Sequence, residues 1–137
     1  MNLATVIRLE HFNAAHRLNV SAWSDAKNES VFGKCNNPFY HGHNYKIEVH
    51  VTGPIDEETG YVIDMKVLKT IILEEIVEAW DHKNLNEQVA DFKNLNPTAE
   101  NIAMIAHQKI LKQLKDSFKL KVVLYETERN IVEYHGR

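Results

Sequence analysis

Two long stretches in which apolar and polar residues alternate constrain this chain more than any other feature of it. In residues 3 to 16, Val6, Phe12, Ala14 and His16 share one parity, with Ile7, Leu9 and Ala15 on the other. A period of two sends successive side chains to opposite faces of a strand, so this pattern predicts a long first strand ending near His16. In the second stretch His41, His43, Tyr45, Ile47, Val49 and Val51 stand on one face, opposite Asn44, Lys46, Glu48 and His50, until Gly53-Pro54 stops it. Strands of that length need a layer packed on their apolar face, and the rest of the chain has to supply it.

Two helices can do so. Leu68, Ile71, Ile72, Ile76, Ala79 and Trp80 follow helical spacing, with Asp64 placed as an N-cap or first-turn carboxylate. A second helix begins at Pro97-Thr98, with Thr98 as N-cap, and buries Ile102, Ile105, Ala106, Ile110 and Leu114. Two short strands close the chain, Leu120 to Thr127 and Ile131 to His135, joined by a polar hairpin loop. Residues 19 to 40 show no sustained period and read as a long loop, a length that is uncommon unless it serves a function. The expected order is ββααββ, an α+β domain in which a four-stranded antiparallel sheet carries two helices on one face. Its open edges predict assembly through strand pairing.

The chain has 137 residues, the size of one ordinary domain, so residues 1–137 are expected to share a single core. An apolar share of 44% with 26% charged residues suits a soluble protein, and no apolar run approaches the roughly 20 residues of a membrane span. The first residues lack an export signal, which makes a cytoplasmic location the expectation. A net charge of −3 without a basic, aromatic-laced run argues against nucleic acid as a partner. Cys35 is the only cysteine and therefore a free thiol.

The chemistry concentrates at few positions. His41-Gly42-His43 puts two imidazoles on the same strand face, with Cα atoms roughly 6.5 Å apart, close enough to converge on one ion. The intervening Gly42 would let another group approach closely on the opposite face. His16 ends the first strand, where an antiparallel neighbour can bring it beside the pair. Three histidines with one exchangeable position form the set used by catalytic zinc, whereas His-x-His alone also occurs as an exposed strand pair. Cys35 admits three readings: a fourth zinc ligand closing a structural site, a thiolate base or nucleophile beside an open site, or an inert buried thiol. Asp81-His82 follows the first long helix, and the two side chains can cooperate only if that helix has ended, because helical neighbours diverge by about 100°. Otherwise His82 simply faces a helix C-terminus. Glu126 continues the apolar parity of Leu120, Val122 and Leu124, which reads either as exposure at a strand end or as a carboxylate placed to accept two parallel N–H bonds.

Taken together the motifs resemble the 6-pyruvoyltetrahydropterin synthase family, which includes the bacterial 6-carboxytetrahydropterin synthases. The likeness is carried in order by Phe12-Asn13-Ala14-Ala15-His16-Arg17-Leu18, by Gly33 through Tyr45, by Asp81-His82-Lys83-Asn84-Leu85, by Pro97-Thr98-Ala99-Glu100-Asn101, and by Tyr125-Glu126-Thr127. The resemblance implies a tunnelling fold (T-fold), trimers whose sheets close into a barrel, and a homohexamer of two trimers with active sites between subunits. It implies that His16, His41 and His43 bind Zn2+, that Cys35 abstracts a proton, and that Asp81 with His82 forms a relay. Glu126 and Thr98 would hold the pterin ring.

The implied reaction is a zinc-dependent lyase step on 7,8-dihydroneopterin triphosphate, giving 6-pyruvoyltetrahydropterin for tetrahydrobiopterin-type synthesis. The near alternative is 6-carboxytetrahydropterin for queuosine and deazapurine synthesis. Five residues separate Cys35 from His41, as in the pyruvoyl enzymes, while Asn96 to Asn101 is closer to the carboxy type. Phe39-Tyr40 departs from the Asn-Gly typical of the animal enzymes. A binding or assembly module in which zinc is purely structural is the reading from a different class. Arg17, Lys34, Lys46 and Lys83 are the cations available to a triphosphate, and the sequence assigns none of them.

Overall fold

The computed structural model describes residues 1–137. The first strand, β1 (Leu3–His16), and the second, β2 (His41–Pro54), pair antiparallel along their whole length, from Leu3 opposite Pro54 to His16 opposite His41. Hydrophobic patterning sets that register: Tyr45, Ile47, Val49 and Val51 of β2 and Ala14 of β1 are fully buried, and Phe12 of β1 is nearly so. A slip of one residue would turn all of them to the opposite face.

The strand β4 (Lys119–Tyr125) adds to β2, and β5 (Ile131–Tyr134) adds to β4, both antiparallel. These four strands agree with the expected sheet. A fifth, β3 (Lys83–Asn84), is two residues long and lies parallel to Ala14 and Ala15, giving the order β3-β1-β2-β4-β5. Two residues display no period, so nothing in the alternation of the sequence marks this strand.

The helical layer follows the predicted spacing. Asp64 caps α2 (Met65–Ile72), its carboxylate accepting from the Lys66 amide at 2.8 Å. The helix continues through a π-helical turn at Leu73–Val77 and ends in α3 (Glu78–Trp80). Leu68, Ile72, Ile76 and Trp80 repeat every four residues, and all are fully buried. Thr98 caps α5 (Ala99–Leu111), accepting from the Asn101 amide, and Ile102, Ala103, Ala106 and Ile110 face the sheet. Each large aliphatic side chain buried here contributes about 1.5–3 kcal/mol. Leu114 lies past the end of α5 but still packs on the core, as does half-buried Ile105.

The expected loop over residues 19 to 40 is corrected by α1 (Asp25–Phe32), followed by a 3-10 turn at Gly33–Asn36. Ser24 caps α1, and Asn28 is its only buried residue, so the helix has no apolar stripe for periodicity to detect. Asn28 instead anchors it through polar bonds, accepting from the Val20 amide and donating to the Val20 and Ser24 carbonyls. A further short helix, α4 (Leu85–Gln88), is capped by Asn84.

The sheet face opposite the helices is bare: Leu3, Ile7 and Leu9 are exposed there, and β5 and most of β1 are open edges. No helix is long and apolar enough to cross a membrane.

Candidate metal centre and active site

The β1–β2 register that buries the core also assembles the histidines. His16 pairs with His41, while His43 lies opposite Ala14, whose small side chain leaves room for three rings on one face. Ring centroids are 4.6 Å apart for His16 and His41, 5.1 Å for His16 and His43, and 5.0 Å for His41 and His43. One nitrogen from each ring lies within 4.8 Å of the other two.

The tautomers suit a cation. His16 Nδ1 donates to the Pro97 carbonyl at 2.7 Å, which leaves its Nε2 as a lone pair directed at the other rings. His16 Nε2, His41 Nδ1 and His43 Nε2 are buried and have no hydrogen-bond partner. Buried polar atoms are rarely left unpartnered, so three converging imidazole nitrogens in that condition fit a metal ion better than any other group. Burial lowers all three imidazoles' proton affinity, His16 down to about 4, with the neighbouring histidines contributing at His16 and His43. At neutral pH each ring is in the form that ligates.

Cys35 lies outside this ligand group. It shares with it a cavity of about 910 Å³ whose wall also includes Arg17, Lys34, His41, His43 and Glu126. The thiol sits in the 3-10 turn, whose backbone is held by the Leu18 amide donating to the Cys35 carbonyl at 2.9 Å. Arg17 and Asn36 add to that anchor: the guanidinium Nε donates to the Asn36 backbone carbonyl, and the Asn36 side-chain Nδ2 donates to the Leu18 carbonyl. Of the four cations left open by the sequence, Arg17 and Lys34 reach the cavity; Lys46 lies over the Tyr125 ring on the other side of the sheet.

Glu126 follows the last residue of β4 and is held by its amide donating to the Asn130 carbonyl at 3.0 Å. Its carboxylate is 4.0 Å from His43 Nε2 and mostly buried. Burial, helped by the negative charge of Glu100, raises its proton affinity above the usual carboxylate range. Glu126 also borders a smaller cavity of about 410 Å³ with Thr98, Glu100 and Arg129. The alternative of simple exposure at a strand end is thus corrected.

Asp81 and His82 do pair. The helix stops at Trp80, Asp81 is extended, and His82 adopts φ 58°, which turns its Nδ1 to within 2.8 Å of the Asp81 carboxylate. The Asn13 amide donates to the other carboxylate oxygen at 2.7 Å, and the Asn13 carbonyl accepts from the His82 amide. These contacts, the Asn13 amide foremost, hold Asp81 below the usual carboxylate range. The pair lies at the β3 edge of the sheet with the His82 side chain 84% exposed, and neither residue lines the cavity that contains Cys35. Within one chain the structure brings Cys35, Glu126 and the histidines together and leaves Asp81 and His82 apart from them.

Two contributors escaped the sequence. The Pro97 carbonyl, which orients His16, leaves no signal in a residue pattern, whereas Glu100 was inside a recognised motif but had no role. The role expected for Gly42 is also corrected, since a Cβ there would meet only the Ala14 carbonyl at an ordinary 3.5 Å.

Comparison with known proteins agrees with this geometry. The family model described as 6-pyruvoyl tetrahydropterin synthase matches residues 5–137. A 6-pyruvoyl tetrahydrobiopterin synthase of Poecilia reticulata is 44% identical over 131 residues, covering 96% of this chain and 89% of that one. The Homo sapiens enzyme of the same name is 44% identical over 133 residues, covering 97% and 92%. The structure of Caenorhabditis elegans 6-pyruvoyl tetrahydropterin synthase superposes with a TM-score of 0.94 at 37% identity, covering 100% of this chain and 98% of that chain. The chain belongs to the 6-pyruvoyl tetrahydropterin synthase family of enzymes and has its T-fold.

Proposed function

We propose that the protein is a zinc-dependent carbon–oxygen lyase that converts 7,8-dihydroneopterin triphosphate to 6-pyruvoyltetrahydropterin, releasing triphosphate. The observation that carries this reading is the convergence of three partnerless imidazole nitrogens, two of their rings lining a cavity that also holds a free thiol and a mostly buried carboxylate. His16, His41 and His43 would hold the ion. Bound there, zinc would polarise a side-chain hydroxyl of the substrate and ease its deprotonation.

The remaining work falls to side chains of the protein. Glu126, with Thr98 beside it, accepts parallel N–H bonds from the pterin edge and fixes the ring. Cys35, as thiolate, takes a proton from a side-chain carbon. His82, its Nδ1–H directed at Asp81, passes protons through Nε2 during tautomerisation. Triphosphate departs with the electron pair of its C–O bond, and the hydrogen atoms lost by the side chain are gained by the ring, so no external oxidant or reductant is needed. Arg17 and Lys34 are available to the anionic tail.

Since Asp81 and His82 stand away from Cys35 in one chain, a second copy supplies them. The bare sheet face and open edges support a homohexamer of two trimers with active sites between subunits. We further read residues 1–137 as one domain acting in the cytoplasm.

The test is to incubate the zinc-loaded protein with the triphosphate and identify the product by mass. A 6-carboxytetrahydropterin product would transfer the chain to the alternative that Asn96 to Asn101 favours. Triphosphate release with neither pterin would sink both. Cys35→Ala should keep zinc and lose turnover; loss of zinc together with the fold would mean a structural site instead.

A further inference from the structure

The geometry points to Tyr40 as a positioning residue, a strut that ties the cysteine turn and the first histidine of the His-x-His pair to the segment carrying Asp81 and His82. Only two non-glycine residues have positive φ, Tyr40 at 69° and His82 at 58°. A side chain is disfavoured in that region and glycine is not, so a tyrosine there has to be held by something else. Its hydroxyl donates to the Glu87 carboxylate. The Tyr40 side chain is only half buried, so packing alone does not supply the restraint.

Both ends of this contact lead to site residues, one to the Cys35 turn and His41 at this chain's cavity, the other to the Asp81–His82 pair at the β3 edge. On one side the Tyr40 amide donates to the Asn37 carbonyl at 3.0 Å, and the Asn37 amide to the Lys34 carbonyl at 3.2 Å, so the strut closes the turns that contain Cys35. Tyr40 also directly precedes His41. On the other side Glu87 belongs to α4, which follows His82 by way of β3 and is capped by Asn84. Asn86 of α4 exchanges two hydrogen bonds with the backbone of Arg17, next to His16, so α4 is itself fastened to β1. The Tyr40–Glu87 bond completes a ring of contacts running from Arg17 through Asn36 and the cysteine turn to α4. Without it, residues 33 to 40 would be held only at the Cys35 end and where β2 begins at His41.

The kinetic half of this inference rests on the proposed function; the structural half does not. On zinc-loaded protein, Tyr40→Phe removes only the hydroxyl, Tyr40→Gly removes the side chain and also relieves the backbone, and Glu87→Gln keeps an acceptor oxygen. Amide hydrogen exchange at Leu18, Asn37 and Tyr40 should quicken about fivefold or more in both Tyr40 variants and stay within about twofold of the parent in Glu87→Gln. The value of kcat should fall about tenfold in both Tyr40 variants with KM within about twofold, because misplacement, not substrate affinity, is the defect. Glycine makes the test sharp. If Tyr40→Gly is protected as well as the parent, the strut is overturned, and if the turn loosens while kcat holds, its positioning role is overturned. A parent without turnover would refute the proposed function, and the exchange measurement would still judge the strut.

Discussion

Replacing Asp81 with asparagine isolates the orienting role of one carboxylate. Asp81 serves two donors, the Asn13 amide at 2.7 Å and His82 Nδ1 at 2.8 Å. Asparagine has one acceptor oxygen. The Asn13 amide is fixed in β1 and cannot turn away, so the oxygen stays with it and the new NH2 group faces His82. The ring must then accept at Nδ1 and carry its proton on Nε2, the reverse of the tautomer that can accept a proton at its exposed tip. A hydrogen bond to a charged group contributes about 1.5–3 kcal/mol, and exposure of the His82 side chain puts this one at the low end, so kcat should fall at least ~10-fold. The fold should be unaffected, because the bond to Asn13 survives. The assay is steady-state turnover of dihydroneopterin triphosphate with zinc content and melting temperature measured on the same preparation, and nitrogen NMR of His82 to read the tautomer. Parent-like kcat with the tautomer reversed would refute the relay. An unchanged tautomer would refute the geometric argument itself.

Three other perturbations probe different parts of the molecule. Asn28→Ala leaves the Val20 amide without its acceptor and should cost about 1–3 kcal/mol in a denaturant titration, whereas equal stability would mean that α1 is not anchored there. Glu126→Gln replaces one acceptor oxygen by a donor and should raise KM about tenfold or more with a smaller change in kcat; an unchanged KM would remove Glu126 from pterin binding. The third concerns pH. His16 has its affinity for protons lowered in the fold to about 4 from 6.5, so between those values the unfolded chain binds the extra proton and stability rises with pH. Apo-protein should therefore keep this contribution above about pH 6.5 and lose about 3 kcal/mol of it by pH 4, with His41 and His43 adding in the same direction. Urea melts across that range test it, and a slope unchanged in His16→Asn would show that His16 is not the group responsible.

The alternating stretches were sufficient to predict β1, β2 and their apolar face, because burial on a pleated sheet imposes a period of two on the residues themselves. The same reasoning located α2 and α5, whose caps Asp64 and Thr98 are side-chain features visible in one dimension. It did not find α1, which is held by Asn28 and not by an apolar stripe, nor β3, which exists because Asn13 binds the chain after Asp81. Both elements depend on polar partners, a few residues away for Asn28 and far along the chain for Asn13, and a polar residue does not show from its position which partner it will meet.

The site divides in the same way. By itself the sequence determined which residue types were available: a His-x-His pair on one strand face, a third histidine at the end of another strand, a free thiol, a carboxylate on an apolar parity. Tertiary structure decided which of them meet. The register placed His16 against His41, the Pro97 carbonyl chose the nitrogen His16 offers, and the cavity joined Cys35 and Glu126 to the histidines while leaving His82 at another edge. Periodicity is a local consequence of burial and survives in the linear chain. Convergence depends on register, on a backbone carbonyl 81 residues away and on the order of strands in the sheet, and these exist only once the chain has folded.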